Sequence, residues 1–333
     1  MSTGRPSVSP PKLIADIGGT NARFALLAGD AIEDEVVLAC DEFPTLVAAT
    51  EHYLGTVGAK IGARRPREAA MAIAGPITGD HIRMTNHVWQ ISAAETRRQL
   101  EFSRLIFLND FTALAMALRY LPTRELEQIG RGRAVAGASI GLLGPGTGLG
   151  VSGLVPAGEH WIPIQGEGGH VTLAVTNERE LAVLAQLRQR FSHVSAERVL
   201  SGPGLVNLYD ALCIVEGVRP DILSPKDITE RALAGTCKLS METVSMFCGL
   251  LGTMAGNLVL TIGAVGGLYI GGGIVPQLGS FFASSSFRDR FEDKGRFADY
   301  LADVPTYVIR TELPAFVGLA RAFVDVGPRW EAA

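Results

Sequence analysis

Three glycine-rich turns carry the first chemical signal in this chain. Gly18-Gly19-Thr20, Gly144 to Gly150 and Gly271-Gly272-Gly273 each follow a short apolar run. Glycine lets backbone N–H groups approach a phosphate with no Cβ in the way, and it accepts the φ > 0 turns that aim those groups inward. Thr20 and Thr147 add hydroxyls that can bond phosphate oxygens. A single glycine turn is ordinarily just a tight turn; three in one chain, two of them carrying Thr, point to a nucleotide. Gly144 to Gly150 lacks the Lys-Ser/Thr ending of a P-loop, and the first turn leads into a strand where a dinucleotide fingerprint would need a helix. Both of those readings fall. Asp110, with Asn109 before it, closes the apolar run Leu105–Leu108. A carboxylate at its reference pKa of about 4 is ionised at neutral pH and only accepts hydrogen bonds. Either residue also suits the N-cap of the helix that follows, and residue types alone favour the cap.

The elements that must position these groups are legible from punctuation and periodicity. Lys12–Asp16 reads as a strand stopped by Gly18-Gly19, and Asn21–Leu27 resumes as a strand, so the pair predicts a hairpin. Ala69–Ala74 is another short run, ended by Gly75-Pro76. Ser92–Leu100 has helix character, with Ser92 and Glu95 at capping-box spacing. Leu105–Leu108 is a buried-type strand, and Phe111–Tyr120 a helix stopped by Pro122. The second half follows the same pattern, with strand Ala138–Leu143, the second glycine turn and return strand Val151–Val155. Helices follow over Glu178–Phe191, Gly204–Val215 and Met241–Ile262, then strand Leu268–Ile270 and a closing helix Phe316–Val324. Strand-turn-strand units mixed with helices predict an α/β or mixed architecture.

Composition narrows the function classes. With 333 residues, 47% hydrophobic and 19% charged, the chain suggests roughly two domains with sizeable cores, and wholesale disorder is excluded. Thirty Lys and Arg against 34 Asp and Glu give a net charge of -4, without the basic surface that a nucleic-acid partner requires. Cys40, Cys213, Cys237 and Cys248 are scattered with no Cys-x-x-Cys pair, as expected of buried free thiols in a reducing compartment. Residues 1–11 are polar and proline-punctuated, which predicts a flexible leader on a cytoplasmic protein. The uncharged stretch Thr243–Phe287 raises the question of a membrane span, but glycines at 263, 266, 267 and 271–273 interrupt its apolar part. A buried helix followed by a buried strand explains the run better.

The motifs also resemble a known family. Asp16-Ile17-Gly18-Gly19-Thr20-Asn21 and Gly144 to Gly150 are similar to the two phosphate segments of the actin, hexokinase and Hsp70 superfamily, and Gly271–Gly273 to its adenosine segment. LIADIGGTNARFALL, AIAGPITGD, MTNHVW, LNDFTALA, GPGTGLG, GEGGHV, ERVLSGPGLVNLY and GGLYIGGGIVPQL narrow the resemblance to the bacterial glucokinase family, in order from Leu13 to Leu278. This implies a two-lobed actin-like ATPase (ribonuclease H-like) fold, with mixed sheets flanked by helices and ATP and sugar in the interlobe cleft. The implied lobes are a small one over 12–120 plus 311–333 and a large one over 121–310. The implied activity is Mg²⁺-dependent transfer of the ATP γ-phosphoryl group to the 6-hydroxyl of D-glucose, the first step of glycolysis, by a homodimer.

By the same resemblance Asp110 is the general base and also a sugar ligand, and Asn109 binds sugar hydroxyls through its amide. Glu167, His170 and Glu197 are further sugar ligands. Asp16 holds Mg²⁺ through water, Gly18, Gly19, Thr20 and Asn21 cradle phosphates from one lobe, and Gly146, Thr147 and Gly148 do so from the other. Gly271, Gly272 and Gly273 pass beneath the adenosine, and Gly75-Pro76 and Thr85-Asn86-His87 line the sugar side. No cysteine lies between Cys40 and Cys213, so the zinc cluster of the related repressor and kinase group is not expected. Two other readings stay open: a non-enzymatic sugar sensor on the same fold, and a kinase for mannose or an N-acetylated sugar.

Overall fold

The structure is a computed structural model that describes residues 9–62, 64–77, 79–84, 87–311 and 314–325. Most of the expected leader, along with Thr85 and Asn86, lies outside the described residues. The chain divides into two compact units. One runs to Leu121 and takes in the C-terminal helix; the other is Pro122–Thr311.

The first unit is built on strands β1 (Lys12–Ile17), β2 (Asn21–Ala28), β3 (Ala31–Ala39), β4 (Glu68–Ile73), the small hairpin β5 (His81–Arg83) and β6 (Gln90–Ser92), and β7 (Arg104–Asn109). The main sheet has the order β3-β2-β1-β4-β7. β1 to β3 pair antiparallel, whereas β4 and β7 run parallel to β1. Leu13, Ile14, Ala15 and Ile17 are all fully buried because both faces of the sheet are covered. Ile14, Ala70, Ala72, Ile106 and Leu108 meet Ala113, Met116, Phe316 and Leu319 on one face. Leu13, Ile17, Met71, Ile73 and Phe107 meet Tyr53, Leu54 and Trp89 on the other.

The helix on the first face, Asp110–Ala117, is pressed closely by the C-terminal helix Pro314–Asp325. Gly318 permits that approach: a Cβ there would collide with the Ala113 carbonyl oxygen. Gly318→Ala is expected to cost about 1–3 kcal/mol through overpacking, read as a lowered thermal midpoint; an unchanged midpoint would show that the helices can separate freely.

The second unit contains β8 (Leu126–Ile129), β9 (Ile140–Pro145), β10 (Leu149–Ala157), β11 (His160–Ile164), β12 (Leu268–Ile270) and β13 (Thr306–Ile309). Its sheet has the order β11-β10-β9-β12-β13-β8. Three antiparallel strands again continue into two parallel ones, so the first unit's pattern recurs with β8 added antiparallel at the edge. The α/β class with two mixed sheets flanked by helices is therefore as expected, and the hairpins around both glycine turns form as the punctuation predicts.

The long apolar helix is Lys238–Ile262, stopped by Gly263 in the left-handed conformation. It is long and apolar enough to cross a membrane, but most of its apolar window is buried in the core of this unit. Gly252 and Gly256 let the backbone of helix Phe287–Glu292 pack against it, since a Cβ at either would run into the carbonyl of Phe287 or Phe291. The spacing of Gly252 and Gly256 serves close helix packing in this core. Cys40, Cys213 and Cys248 are buried, Cys237 is half-buried, and all four are free thiols.

One local expectation is corrected. Ser92 Oγ does accept from Glu95 N–H at 3.1 Å, but the capping box is incomplete. The Glu95 carboxylate turns to Arg98 and Gln99, and Asp80 takes Ala94 N–H at 2.7 Å. Asp80 thus satisfies a second N–H of the first turn while Glu95 is engaged along its own helix.

Candidate active site

In the first unit the functional candidates gather at the C-terminal ends of β1, β4 and β7. Asp16 is in β1, opposite Arg23 in the β1–β2 register. The Arg23 Nη1 to Asp16 Oδ2 separation is 3.5 Å. Burial pushes the Asp16 carboxyl above its ordinary pKa, and the Arg23 guanidinium pulls it back. The turn after it is closed by Gly18 N–H donating to the Asn21 carbonyl at 2.9 Å, while Thr20 is exposed. Thr20 in turn accepts from Cys40 N–H at 2.8 Å, which ties the turn to the end of β3.

At the end of β7, Asn109 caps the helix Asp110–Ala117. Its Oδ1 accepts from Phe111 N–H at 3.0 Å and Thr112 N–H at 3.2 Å, and its Nδ2 donates to the Gly75 carbonyl at 3.2 Å. One Nδ2 hydrogen is thus engaged and the amide has a second to offer. Asp110 becomes the first helical residue, half-buried, with Oδ1 2.9 Å from Phe111 N. An anionic side chain is favoured at that position by the helix dipole. The cap and the chemistry are therefore divided between neighbours. His87 is turned inward: Nδ1 accepts from Trp89 N–H at 3.2 Å and Nε2 faces Asp41 at 3.3 Å, so it braces its own segment.

In the second unit the glycine turn, Glu197 and the Glu167–His170 segment come together around Leu149. Gly146 N–H donates to the Gly148 carbonyl at 2.8 Å, and the space where a Gly146 side chain would stand is open. Thr147 is exposed. Glu197, half-buried, accepts from Leu149 N–H at 2.8 Å. A Cβ on Gly169 would strike the Leu149 carbonyl. Glu167 and His170 are both exposed, 4.0 Å apart, and His193 Nε2 lies 3.1 Å from the His170 carbonyl oxygen.

The third turn begins where Gly271 N–H donates to Leu143 at 2.9 Å. Gly272 has φ +77° and sits so close to the Pro145 carbonyl that no side chain fits, which brings this turn beside the end of β9. Residue types gave no sign of the backbone groups that organise the site: the Gly75 carbonyl, Leu149 N–H and Gly202 N–H. Ser201, the cap of helix Gly202–Val215, was findable from its position before Gly-Pro-Gly.

Comparisons with known proteins place the chain in a family. A model of the glucokinase family matches residues 13–325. The chain is 51% identical over 314 residues to a glucokinase of Aromatoleum aromaticum, covering 94% of each chain. It is 50% identical to one from Chromobacterium violaceum, covering all of this chain and 95% of that one. The chain belongs to the glucokinase family. The solved structure of a glucokinase from an Antarctic psychrotroph is similar to it with TM-score 0.84 and 38% identity, over 93% of this chain and 98% of that one.

Glucokinase membership makes the protein an enzyme that uses ATP, and the residues present fit that nucleotide. The open space at Gly146 and the exposed hydroxyls of Thr20 and Thr147 leave room for phosphates. No group of three or more His, Cys, Asp or Glu side chains gathers among the described residues. The Asp16 carboxylate is the kind of oxygen donor that Mg²⁺ takes alongside several waters and phosphate oxygens.

Proposed function

We propose that this glucokinase transfers the γ-phosphoryl group of ATP to the 6-hydroxyl of D-glucose with Asp110 as general base. The observation that carries the reading is the division of labour at the end of β7. Asn109 satisfies the helix N-terminus, so the Asp110 carboxylate is held at the first helical position by the element that follows. A base must be fixed within hydrogen-bonding reach of the proton it takes.

Asp110 accepts the 6-hydroxyl proton as the oxygen attacks. The remaining Nδ2 hydrogen of Asn109 goes to a sugar hydroxyl, and Glu167, Glu197 and His170 bond others. A site built to pair each hydroxyl rejects sugars that lack one. Gly19, Thr20, Asn21, Thr147 and Gly148 direct N–H and hydroxyl donors at the phosphates, while Gly18 and Gly146, whose own N–H groups close the two turns, let the phosphates approach closely. Gly271–Gly273 run beneath the adenosine. Asp16 holds Mg²⁺ through water. Magnesium, when bound, neutralises charge on the phosphate oxygens. A homodimer in the cytoplasm completes the reading.

The test is a coupled phosphorylation assay with glucose, mannose, fructose, N-acetylglucosamine and no sugar, each with and without EDTA. Turnover with glucose that chelation abolishes and added Mg²⁺ restores is the expected result. Preference for another sugar would overturn the substrate, and glucose binding without transfer would overturn the kinase reading in favour of a sugar sensor.

A further inference from the structure

The segment Glu197 to Gly202 grips the second glycine turn at both ends. Gly202 N–H donates to the Gly146 carbonyl at 2.8 Å. At the far end, Glu197 Oε2 accepts from Leu149 N–H at 2.8 Å. The grip is braced from within, because Ser201 Oγ donates to the Glu197 carbonyl at 2.8 Å and accepts from Gly204 N–H at 3.0 Å. The backbone of the Glu167–His170 segment lies against the Leu149 carbonyl through Gly169. Leu149 is therefore held by both segments that supply sugar ligands.

Gly148 fits the same arrangement. A Cβ at this position would lie 2.5 Å from Glu197 Oε2, closer than real Cβ atoms come to an oxygen. Its φ is outside the left-handed region, so the backbone conformation admits a side chain here, and that side chain would have to displace the Glu197 carboxylate. The carboxylate itself has capacity to spare: Oε2 is used by Leu149, while Oε1 makes no hydrogen bond among the described residues.

We propose that Glu197 is a positioning group shared by the two substrates, with Oε2 setting the end of the phosphate turn and Oε1 taking a sugar hydroxyl. Gly148 is glycine to leave room for that carboxylate. This rests on the reading of Glu197 as a sugar ligand and of Gly146–Gly148 as a phosphate turn. Anything that moves the carboxylate moves Leu149 N–H, so affinity for either substrate depends on the other's half of the contact, and the dependence is reciprocal.

Two cross-effects test it, both measured as equilibrium binding to the full chain with only one substrate present. Gly148→Ala, a change in the phosphate turn, is expected to weaken glucose binding about tenfold in the absence of nucleotide. Glu197→Ala is expected to weaken a non-hydrolysable ATP analogue with Mg²⁺ about tenfold in the absence of sugar. Glu197→Gln, which keeps a neutral acceptor for Leu149 N–H, restores most of the nucleotide affinity. If Gly148→Ala does not fold by thermal melting, the Glu197 pair decides alone. Glucose binding unchanged in Glu197→Ala would overturn the reading of Glu197 as a sugar ligand and this proposal with it. Glucose binding lost in Glu197→Ala with neither cross-effect present would overturn the shared role and leave that reading standing.

Discussion

Asp110→Asn is expected to lower turnover by at least about 10²-fold, the scale of losing a general base, while glucose binding stays close to that of the unaltered enzyme. Asparagine matches aspartate in size and still presents a carbonyl oxygen where Oδ1 faces Phe111 N–H at 2.9 Å. The helix keeps its cap, because Asn109 accepts from both Phe111 N–H and Thr112 N–H across the first turn. The contact with the Gly75 carbonyl is also Asn109's. The substitution removes the ionised proton acceptor while the cap stays in place, so the loss should fall on kcat with the sugar dissociation constant nearly unchanged. Steady-state kinetics paired with direct glucose titration separates the two. Near-normal turnover would end the assignment of Asp110 as base, and an equal loss in binding would leave it a sugar ligand alone.

The largest expected stability effect lies away from the chemistry, at Arg290. Its guanidinium meets the Glu180 carboxylate at 2.5 and 3.2 Å and Thr253 Oγ1 at 2.8 Å, with the Glu180 side chain only 3% exposed. Glu180 Oε2 also accepts from Thr176 N–H at 2.9 Å. Arg290→Met removes the cation and leaves a carboxylate buried without its partner, at a cost of about 3–5 kcal/mol. Chemical denaturation should show a lower midpoint. Adding Glu180→Gln to the same chain should recover part of the loss, since the stranded charge is then gone. A single variant within about 1 kcal/mol of the parent would mean that water reaches the pair, as at an exposed ion pair. The result is informative about the site too, since Thr176 ends the stretch that begins with Glu167 and His170.

Much of the candidate site was legible in the residues because its determinants are local. Strand, glycine turn and strand at Lys12–Ala28 and Ile140–Ala157 follow from apolar runs broken by residues that tolerate tight turns. The cap at the head of Asp110–Ala117 follows from Asn at a strand-to-helix junction, although residue types alone could not divide cap from base between Asn109 and Asp110. The short edge strands β8 and β11 had no such signal, since four or five residues of mixed polarity become a strand only when a neighbour pairs with them.

The five-strand order shared by the two units was equally silent: it is a likeness of hydrogen-bonded pairing, which different side chains can satisfy. Contacts such as Leu149 N–H to Glu197, Gly75 to Asn109, and Arg290 to Glu180 join residues 34 to 110 positions apart. The sequence by itself determined which residues can turn, cap, accept a proton or bond a phosphate, because those are properties of side chains and their near neighbours. Tertiary structure alone decided which carboxylate meets which N–H, because a backbone donor looks the same at every residue until the fold selects its partner.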